Sequence, residues 1–300
     1  MRRAARLLLA LAATAIACFA ASLALAGSQP DPRPGDKQLG TKGGITYVSD
    51  TATSSDPSFA QSSAACPGLD KGKWRIAGGG FRTNDKAGAI TATRPQDLYI
   101  PPDGDVDSVP DDFWESDAEI AVGKKVSSYA ICMKSEGLSY QLQSQPDESD
   151  AIRSSTQSCS GKSQPTGGGG FIATTDSYLS SVFPTGKNKW RVDLLDATGG
   201  HGGMQSQVVC LHDKQLRRAT TKVTMPSAKV KSAKATCKGG AHVTGGGIRM
   251  GKDGGDGIAL ASYPVDGKDA DKVPDDGWKV QGYNRTAGTL PLTAYAICKG

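Results

Sequence analysis

The chain has 300 residues, of which 37% are hydrophobic, 22% are charged and 38 are glycine. Glycine is well above the roughly 7% of average proteins but follows no G-X-Y period, so composition excludes collagen and favours a β-rich globular protein over a helical bundle. The formal net charge of +5 becomes +2 without Arg2, Arg3 and Arg6. Charge alone therefore indicates neither nucleic acid nor a membrane as the partner.

The N-terminal segment has the pattern of a secretory signal peptide. Three arginines precede an apolar run from Leu7 to Ala26, which ends in Leu-Ala-Leu-Ala, a typical small-residue cleavage pattern. A membrane anchor and a lipoprotein acylated at Cys18 are the alternatives. We predict a signal peptide over 1–26, secretion to the cell envelope or the extracellular space, and no stable transmembrane anchor.

The segment that follows, 27–44, contains three prolines and five glycines and almost no apolar side chain. Such a segment cannot bury enough apolar surface to offset the entropy lost on ordering. We predict a flexible linker.

The rest of the chain contains three copies of one pattern. Each copy has a cysteine, a glycine triplet, a tryptophan and a second cysteine, in that order: Cys66, Gly78–Gly80, Trp114 and Cys132; Cys159, Gly168–Gly170, Trp190 and Cys210; Cys237, Gly245–Gly247, Trp278 and Cys298. From tryptophan to the last cysteine the spacing is 18, 20 and 20 residues. Self-similarity of this kind identifies repeated supersecondary units.

Each unit reads as a β-repeat, because β-branched and aromatic residues alternate between clusters of Gly, Pro, Asp and Ser. We predict an all-β fold with repeats at 45–132, 138–210 and 220–298, each of about five strands. The repeats either pack around a pseudo-threefold axis into one prism-like body or stand as three small tandem β-sandwiches. The closed body is favoured, since a single unit would struggle to bury a core alone. A glycine triplet inside a strand pattern indicates a close backbone approach.

The order Cys, Gly-Gly-Gly, Pro-Asp-Asp-Gly-Trp, Tyr-Ala-Ile-Cys resembles a repeat of exported bacterial proteins with no assigned activity. The resemblance covers 45–298 and implies no activity for this chain. Copy two departs most from the pattern, because it has Val208-Val209-Cys210 at its end and lacks the acidic loop of the other copies.

Six cysteines remain after removal of Cys18, an even number that favours disulfides in an oxidising compartment. A metal site is a weak alternative, because the sequence has no C-x-x-C and its three histidines are scattered. Two pairings respect the symmetry of the repeats: within units, or between neighbouring units. We predict the first, Cys66 with Cys132, Cys159 with Cys210 and Cys237 with Cys298.

Acidic loops are the best candidates for chemistry. Asp103, Asp105 and Asp107 alternate before Val-Pro-Asp-Asp in copy one, and Asp269 and Asp271 precede the same tetrapeptide in copy three. The stretch resembles thrombospondin type 3 calcium repeats, although it lacks their turn glycine and the bidentate glutamate of an EF-hand. A solvated acidic loop is the simpler interpretation, and Ca²⁺ binding is the alternative. A glycosidase pair of carboxylates is disfavoured, because catalytic groups need rigid support.

Other candidates have equally plain interpretations. His201 lies among glycines and has no recognisable nucleophile near it in sequence, so we interpret it as a loop residue. Eight basic residues and no acid lie between Lys214 and Lys238, which indicates a solvated linker, with an anionic polymer as the alternative partner. The recurring tryptophans indicate core positions, with sugar-stacking platforms as the alternative.

Together these features predict a secreted, disulfide-stabilised, non-catalytic binding or structural protein. We expect no catalytic residue, metal ligand or cofactor, and no nucleic acid partner; cell-wall or extracellular polysaccharide is the candidate partner. An extracellular carbohydrate-active enzyme and a calcium-dependent adhesin that uses the Asp-rich loops are the alternative functions.

Overall fold

The computed structural model describes residues 36–56, 59–67, 74–97, 109–134, 137–145, 152–172, 177–196, 202–213, 215–251, 257–267, 269 and 271–300. These residues form three antiparallel sheets and contain no helix, which confirms the predicted all-β fold. The predicted signal peptide lies outside the described residues.

Nineteen strands make up the three sheets. A single strand, β1 (Lys37–Lys42), precedes the copies. Copy one contributes β2 (Ile45–Thr53), β3 (Ala60–Ala65), β4 (Arg75–Thr83), β5 (Ala89–Gln96), β6 (Phe113–Glu119) and β7 (Lys125–Met133). Copy two contributes β8 (Leu138–Gln145), β9 (Ile152–Ser158), β10 (Gln164–Ile172), β11 (Ser177–Thr185), β12 (Lys189–Asp196) and β13 (Met204–Leu211). Copy three contributes β14 (Leu216–Met225), β15 (Val230–Thr236), β16 (His242–Met250), β17 (Gly257–Val265), β18 (Gly277–Asn284) and β19 (Leu290–Lys299).

Every sheet joins strands of two copies. The first sheet has the order β1-β2-β7-β4-β17-β18-β15 and joins copies one and three. The second, β3-β6-β5-β10-β13-β8, joins copies one and two, and the third, β14-β19-β16-β11-β12-β9, joins copies three and two. Each copy is therefore hydrogen-bonded to both others. The arrangement is the closed one, and three separate tandem sandwiches are excluded.

Glycines allow the three copies to meet. A Cβ atom on Gly167 would lie 2.8 Å from the Cα of Gly78, and one on Gly245 would lie 1.8 Å from the carbonyl oxygen of Thr166. The backbones of β4, β10 and β16 thus touch at one place, where any side chain would be excluded. The sequence predicts this crowding, but it assigns the wrong residues in copy two: Gly167, not Gly168, is the partner of Gly78.

The sequence-based boundaries need three corrections. Residues 37–42 form β1 against β2, so the flexible linker predicted for 27–44 is wrong for this part. Copy three begins at Leu216 rather than 220, and the basic run lies largely on strands β14 and β15 instead of in a linker. Each copy has six strands rather than about five; in copy one the additional strand is Ala60–Ala65, which has no β-branched or aromatic residue.

All three disulfides lie within copies, as Cys66–Cys132, Cys159–Cys210 and Cys237–Cys298. In each copy the bridge joins the end of one sheet strand to the segment that enters the glycine-rich strand. The three repeated tryptophans are buried, with at most 1% of their surface exposed. They are core residues, so the sugar-stacking alternative is wrong for them.

Candidate binding surfaces at the seams between copies

A seam is defined here as the junction at which a strand of one copy pairs with a strand of another: β4 with β17, β5 with β10, and β16 with β11. Successive side chains of a strand point to opposite faces of its sheet. Because Trp278 pairs with Pro264 and is buried in the core, the neighbouring Tyr263 lies on the opposite face. The seams therefore present their own set of side chains on the face away from the tryptophans.

The seam between copies one and three carries two stacked rings and an arginine. The ring centroids of Tyr129 and Tyr263 are 5.2 Å apart with an interplanar angle of 21°. The guanidinium carbon of Arg82 lies 5.5 Å from the centroid of the Tyr263 ring. Both tyrosines are only partly buried. Burial nevertheless raises the pKa of Tyr129, because the phenolate form would lose solvation.

The seam between copies three and two repeats this arrangement. Tyr295 stacks on Phe183 with centroids 5.8 Å apart, and the guanidinium carbon of Arg249 lies 5.2 Å from the Phe183 centroid. The strand registers are the same, since Tyr129 pairs with Gly80 and Tyr295 with Gly247. Two seams thus contain the same group of two aromatic rings and one arginine. They differ in exposure, because Phe183 is only 4% exposed whereas Tyr263 is partly exposed.

In the third seam, between copies one and two, the aromatic ring lies on the glycine-rich strand and the arginine lies on the partner strand, the reverse of the other two seams. Here the arginine comes from β5 and the ring from β10: the guanidinium carbon of Arg94 lies 3.9 Å from the centroid of Phe171. Glu115 fixes this arginine, because its Oε1 accepts hydrogen bonds from Nε at 3.0 Å and Nη2 at 2.9 Å. A charge-assisted, two-point contact of this kind leaves the guanidinium little freedom.

Sequence reasoning missed most of these residues. Tyr129 and Tyr295 are part of the Tyr-Ala-Ile-Cys motif, but nothing in the sequence pairs them with the rings of another copy. One signal was present: an arginine follows the glycine triplet at the same distance in Gly-Gly-Gly-Phe-Arg82 and Gly-Gly-Gly-Ile-Arg249. An arginine that recurs two residues after a glycine triplet is a more specific sequence signal of a functional position than a single arginine or a single tyrosine.

The acidic loop of copy three gathers carboxylates around a lysine. One carboxylate oxygen from each of Asp269, Asp271 and Asp275 lies within 4.8 Å of the others, close enough to share one cation. The ammonium of Lys42 supplies that charge, at 2.7 Å from Asp269 and 2.5 Å from Asp271. These contacts raise the pKa of Lys42, first through the hydrogen bond to Asp269, and lower the pKa of Asp271. The corresponding Asp103, Asp105 and Asp107 of copy one lie outside the described residues.

The Val-Pro-Asp-Asp turn that follows has a structural role in both copies. The carbonyl of Asp112 accepts a hydrogen bond from the amide of Cys66 at 2.9 Å, and that of Asp276 accepts one from Cys237 at 2.8 Å. Asp275 is only 1% exposed, so the turn is not the fully solvated loop that the sequence indicates. The turn therefore connects the first cysteine of the disulfide, by a backbone hydrogen bond, to the start of the strand that carries the tryptophan.

His201 lies outside the described residues. No helix in the described part of the chain is long and apolar enough to cross a membrane. No model of a protein family matches the chain, and no curated protein is significantly similar to it.

Proposed function

We propose that the chain is a secreted, disulfide-stabilised, non-catalytic binding protein of the cell envelope or extracellular space, and that the seam surfaces contact polysaccharide. The observation that carries this proposal is the recurrence of the same group, two stacked rings and one arginine, at two seams. Tyr129 with Tyr263 and Tyr295 with Phe183 lie 5.2 and 5.8 Å apart in matching orientations.

The chemistry of these groups suits a sugar polymer. A half-buried tyrosine presents an apolar ring together with a hydroxyl, which is why tyrosine is frequent at binding surfaces. The apolar C–H face of a sugar can pack on such a ring while its hydroxyls bond to the arginine and to the polar side chains beside it. Repeated sites on one rigid body would engage one polymer at several points, which raises the overall affinity without any new contact.

Three disulfides, one in each copy, support a location outside the cytosol, where such bonds persist. They also hold the ends of the strands that carry Tyr129 and Tyr295, since Cys132 and Cys298 lie three residues further along the same strands.

The test is binding of the mature protein to isolated cell walls and to a polysaccharide panel. Replacing both Tyr129 and Tyr295 by alanine should lower the bound fraction at least tenfold, while near-ultraviolet circular dichroism shows that the tryptophan core is retained. Phe59→Ala is the matched control, because Phe59 is 47% exposed and lies outside the seams.

Two results would contradict the proposal: no binding of the unmodified protein to any polysaccharide, or equal binding of the double tyrosine variant and the Phe59→Ala control. Release of sugar from a polysaccharide would favour the alternative of a carbohydrate-active enzyme.

A further inference from the structure

The turn before the tryptophan strand lies beside the start of the glycine-rich strand in every copy. In copy one an acidic and a basic side chain pair there, with Asp111 Oδ2 at 3.1 Å from Arg75 Nε. In copy three Asp275 Oδ2 lies 2.5 Å from His242 Nδ1. Both aspartates are at least 98% buried. In copies one and three, a buried carboxylate of the turn therefore pairs with a basic side chain at the start of the glycine-rich strand. We call this junction the corner of the copy.

Copy two has the same corner with different charges. The amide of Cys159 donates to the carbonyl of Asn188 at 2.8 Å, as the first cysteines of the other copies donate to Asp112 and Asp276. Lys187 thus occupies the position of the buried aspartate. Gln164 occupies the position of the basic residue, because it begins β10 as Arg75 begins β4.

At this corner copy two has a lysine and a glutamine where copies one and three have a carboxylate paired with a basic group. A surface depression of about 740 Å³ lies here, open to solvent, with both of its lysines exposed; it is lined by Gly161, Lys162, Ser163, Gln164, Lys187, Asn188 and Leu216. Its charged groups are two ammonium groups, and amide and hydroxyl side chains provide further donors. Its volume lies within the range of small-molecule sites, roughly 300–1,000 Å³. We call it the copy-two pocket.

Groups around the pocket add to its positive character. Arg218 of the neighbouring copy donates from Nη2 to the carbonyl of Gly186 at 2.8 Å, on the turn that carries Lys187. Burial lowers the pKa of this arginine from its usual value. The acidic residue Asp213 contacts the lining, because its carbonyl accepts a hydrogen bond from Gln164, and its carboxylate lies 3.2 Å from the ammonium of Lys299. Its charge is thus balanced by a lysine.

We propose that the copy-two pocket binds a phosphate group, either free or within a polyol-phosphate polymer of the cell envelope. Lys162 and Lys187 would neutralise the anion, and the Ser163 hydroxyl would donate to its oxygens. The Gln164 and Asn188 amides each donate one hydrogen bond to a carbonyl, of Asp213 and Cys159, so each would offer only its second amide hydrogen to the anion. The room beyond a single phosphate admits the polyol to which it is esterified. This inference does not rest on the seam surfaces, because no seam residue lines the pocket.

The decisive variant introduces into copy two the ion pair that Arg75 and Asp111 form in copy one. Gln164→Arg combined with Lys187→Asp should form an ion pair like that of Arg75 and Asp111 and keep the fold. Lys229→Gln is the matched control, since it changes the net charge by the same amount at an exposed position immediately before β15, outside the pocket. Isothermal titration with inorganic phosphate and, in a second arm, with poly(glycerol phosphate) measures binding.

We expect the paired variant to lose at least tenfold in affinity and the control to stay within twofold of the unmodified protein. Binding should weaken as salt rises. Affinity for the polymer but not for inorganic phosphate would identify the polymer as the source, and the reverse would identify the free ion. No binding in either arm, or equal loss in the control, would overturn the proposal. The double tyrosine variant should retain phosphate binding, which separates this test from that of the seams.

Discussion

The indole Nε1 of Trp114 donates a hydrogen bond of 2.8 Å to Oγ1 of Thr93, on the neighbouring strand. Copy three repeats the bond between Trp278 and Ser262 at 2.8 Å. In copy two the same strand position holds Val182, and the buried Nε1 of Trp190 has no hydrogen-bond partner. The buried indole N–H of the repeated tryptophan thus has a hydroxyl acceptor in copies one and three and no acceptor in copy two.

Thr93→Val should therefore destabilise the protein by about 1–3 kcal/mol, because a buried N–H would lose its acceptor with little change in side-chain volume. Urea unfolding measures the change. The control is Thr51→Val, which removes a hydroxyl from an exposed pair with Ser127. If both variants unfold at the same urea concentration, the indole hydrogen bond does not contribute in the way proposed.

Gly245→Ala should prevent the three copies from closing. The added Cβ would lie 1.8 Å from the carbonyl oxygen of Thr166, and the nearest atoms all belong to the backbone of Thr166 and Gly167, so no flexible side chain can move away. We expect a loss of more than about 4 kcal/mol, which is exceptional for one methyl group. Gly288→Ala is the control, because no atom lies within 4 Å of its added Cβ. Thermal melting of the two variants compares them, and a melting temperature of Gly245→Ala close to that of the control would refute the crowding argument.

Sequence patterns that recur in all three copies predicted the fold well. The alternating strands gave the all-β class, and the glycine triplets indicated a crowded backbone. The alignment of copy two slipped by one residue because Gly167–Gly170 are four identical residues, which contain no internal marker of register. The register follows from the contact between Gly167 and Gly78 and from the pairing of Gly167 with Val209, which matches that of Gly78 with Ile131.

The seams could not be predicted from local patterns. Arg82 and Tyr263 are far apart in sequence, and their contact exists because each sheet takes strands from two copies. Strand β3 was missed for a different reason: Ala-Gln-Ser-Ser-Ala-Ala has small side chains that fit against buried neighbours but show no strand preference. In the pocket of copy two, the decisive change is a lysine in place of an aspartate, three residues before the tryptophan in each copy; its meaning becomes clear only from the structure, where that aspartate is paired with a basic residue.

Lys42→Met should make the acidic loop of copy three dependent on a divalent cation. Without the ammonium, Asp269, Asp271 and Asp275 keep their mutual repulsion, so the melting temperature should fall, most clearly at low salt. Millimolar Ca²⁺ should restore it, since bound cation stabilises the folded state by mass action. Lys37→Met, on the same strand but outside the cluster, is the control. An equal calcium response of the two variants would show that Lys42 does not serve as the counter-ion.

Asp117, beside the seam between copies one and two, should make stability fall as pH rises. Burial raises its pKa to about 8, and the charge of Glu115 adds to the shift while Arg94 opposes it. The folded state therefore holds the proton more tightly than the unfolded chain, whose aspartate pKa is about 3.9. The stabilisation is complete below about pH 4 and is lost as pH rises towards 8, with a slope of at most about 1.4 kcal/mol per pH unit.

Asp117→Asn should remove this slope, because an amide carries no titrating proton. Copy three has Gln281 at the corresponding position, facing Ala261 as Asp117 faces Ala92, so an amide fits this place in the sheet. Unfolding free energies from urea titrations at pH 5, 7 and 9 measure the effect, and the variant should exceed the unmodified protein at pH 9. Asp193→Asn, at the same position in copy two, should instead destabilise, because the Asp193 carboxylate accepts a 2.6 Å hydrogen bond from Arg191. Parallel pH profiles for the unmodified protein and Asp117→Asn would show that Asp117 is ionised in the folded state throughout this range.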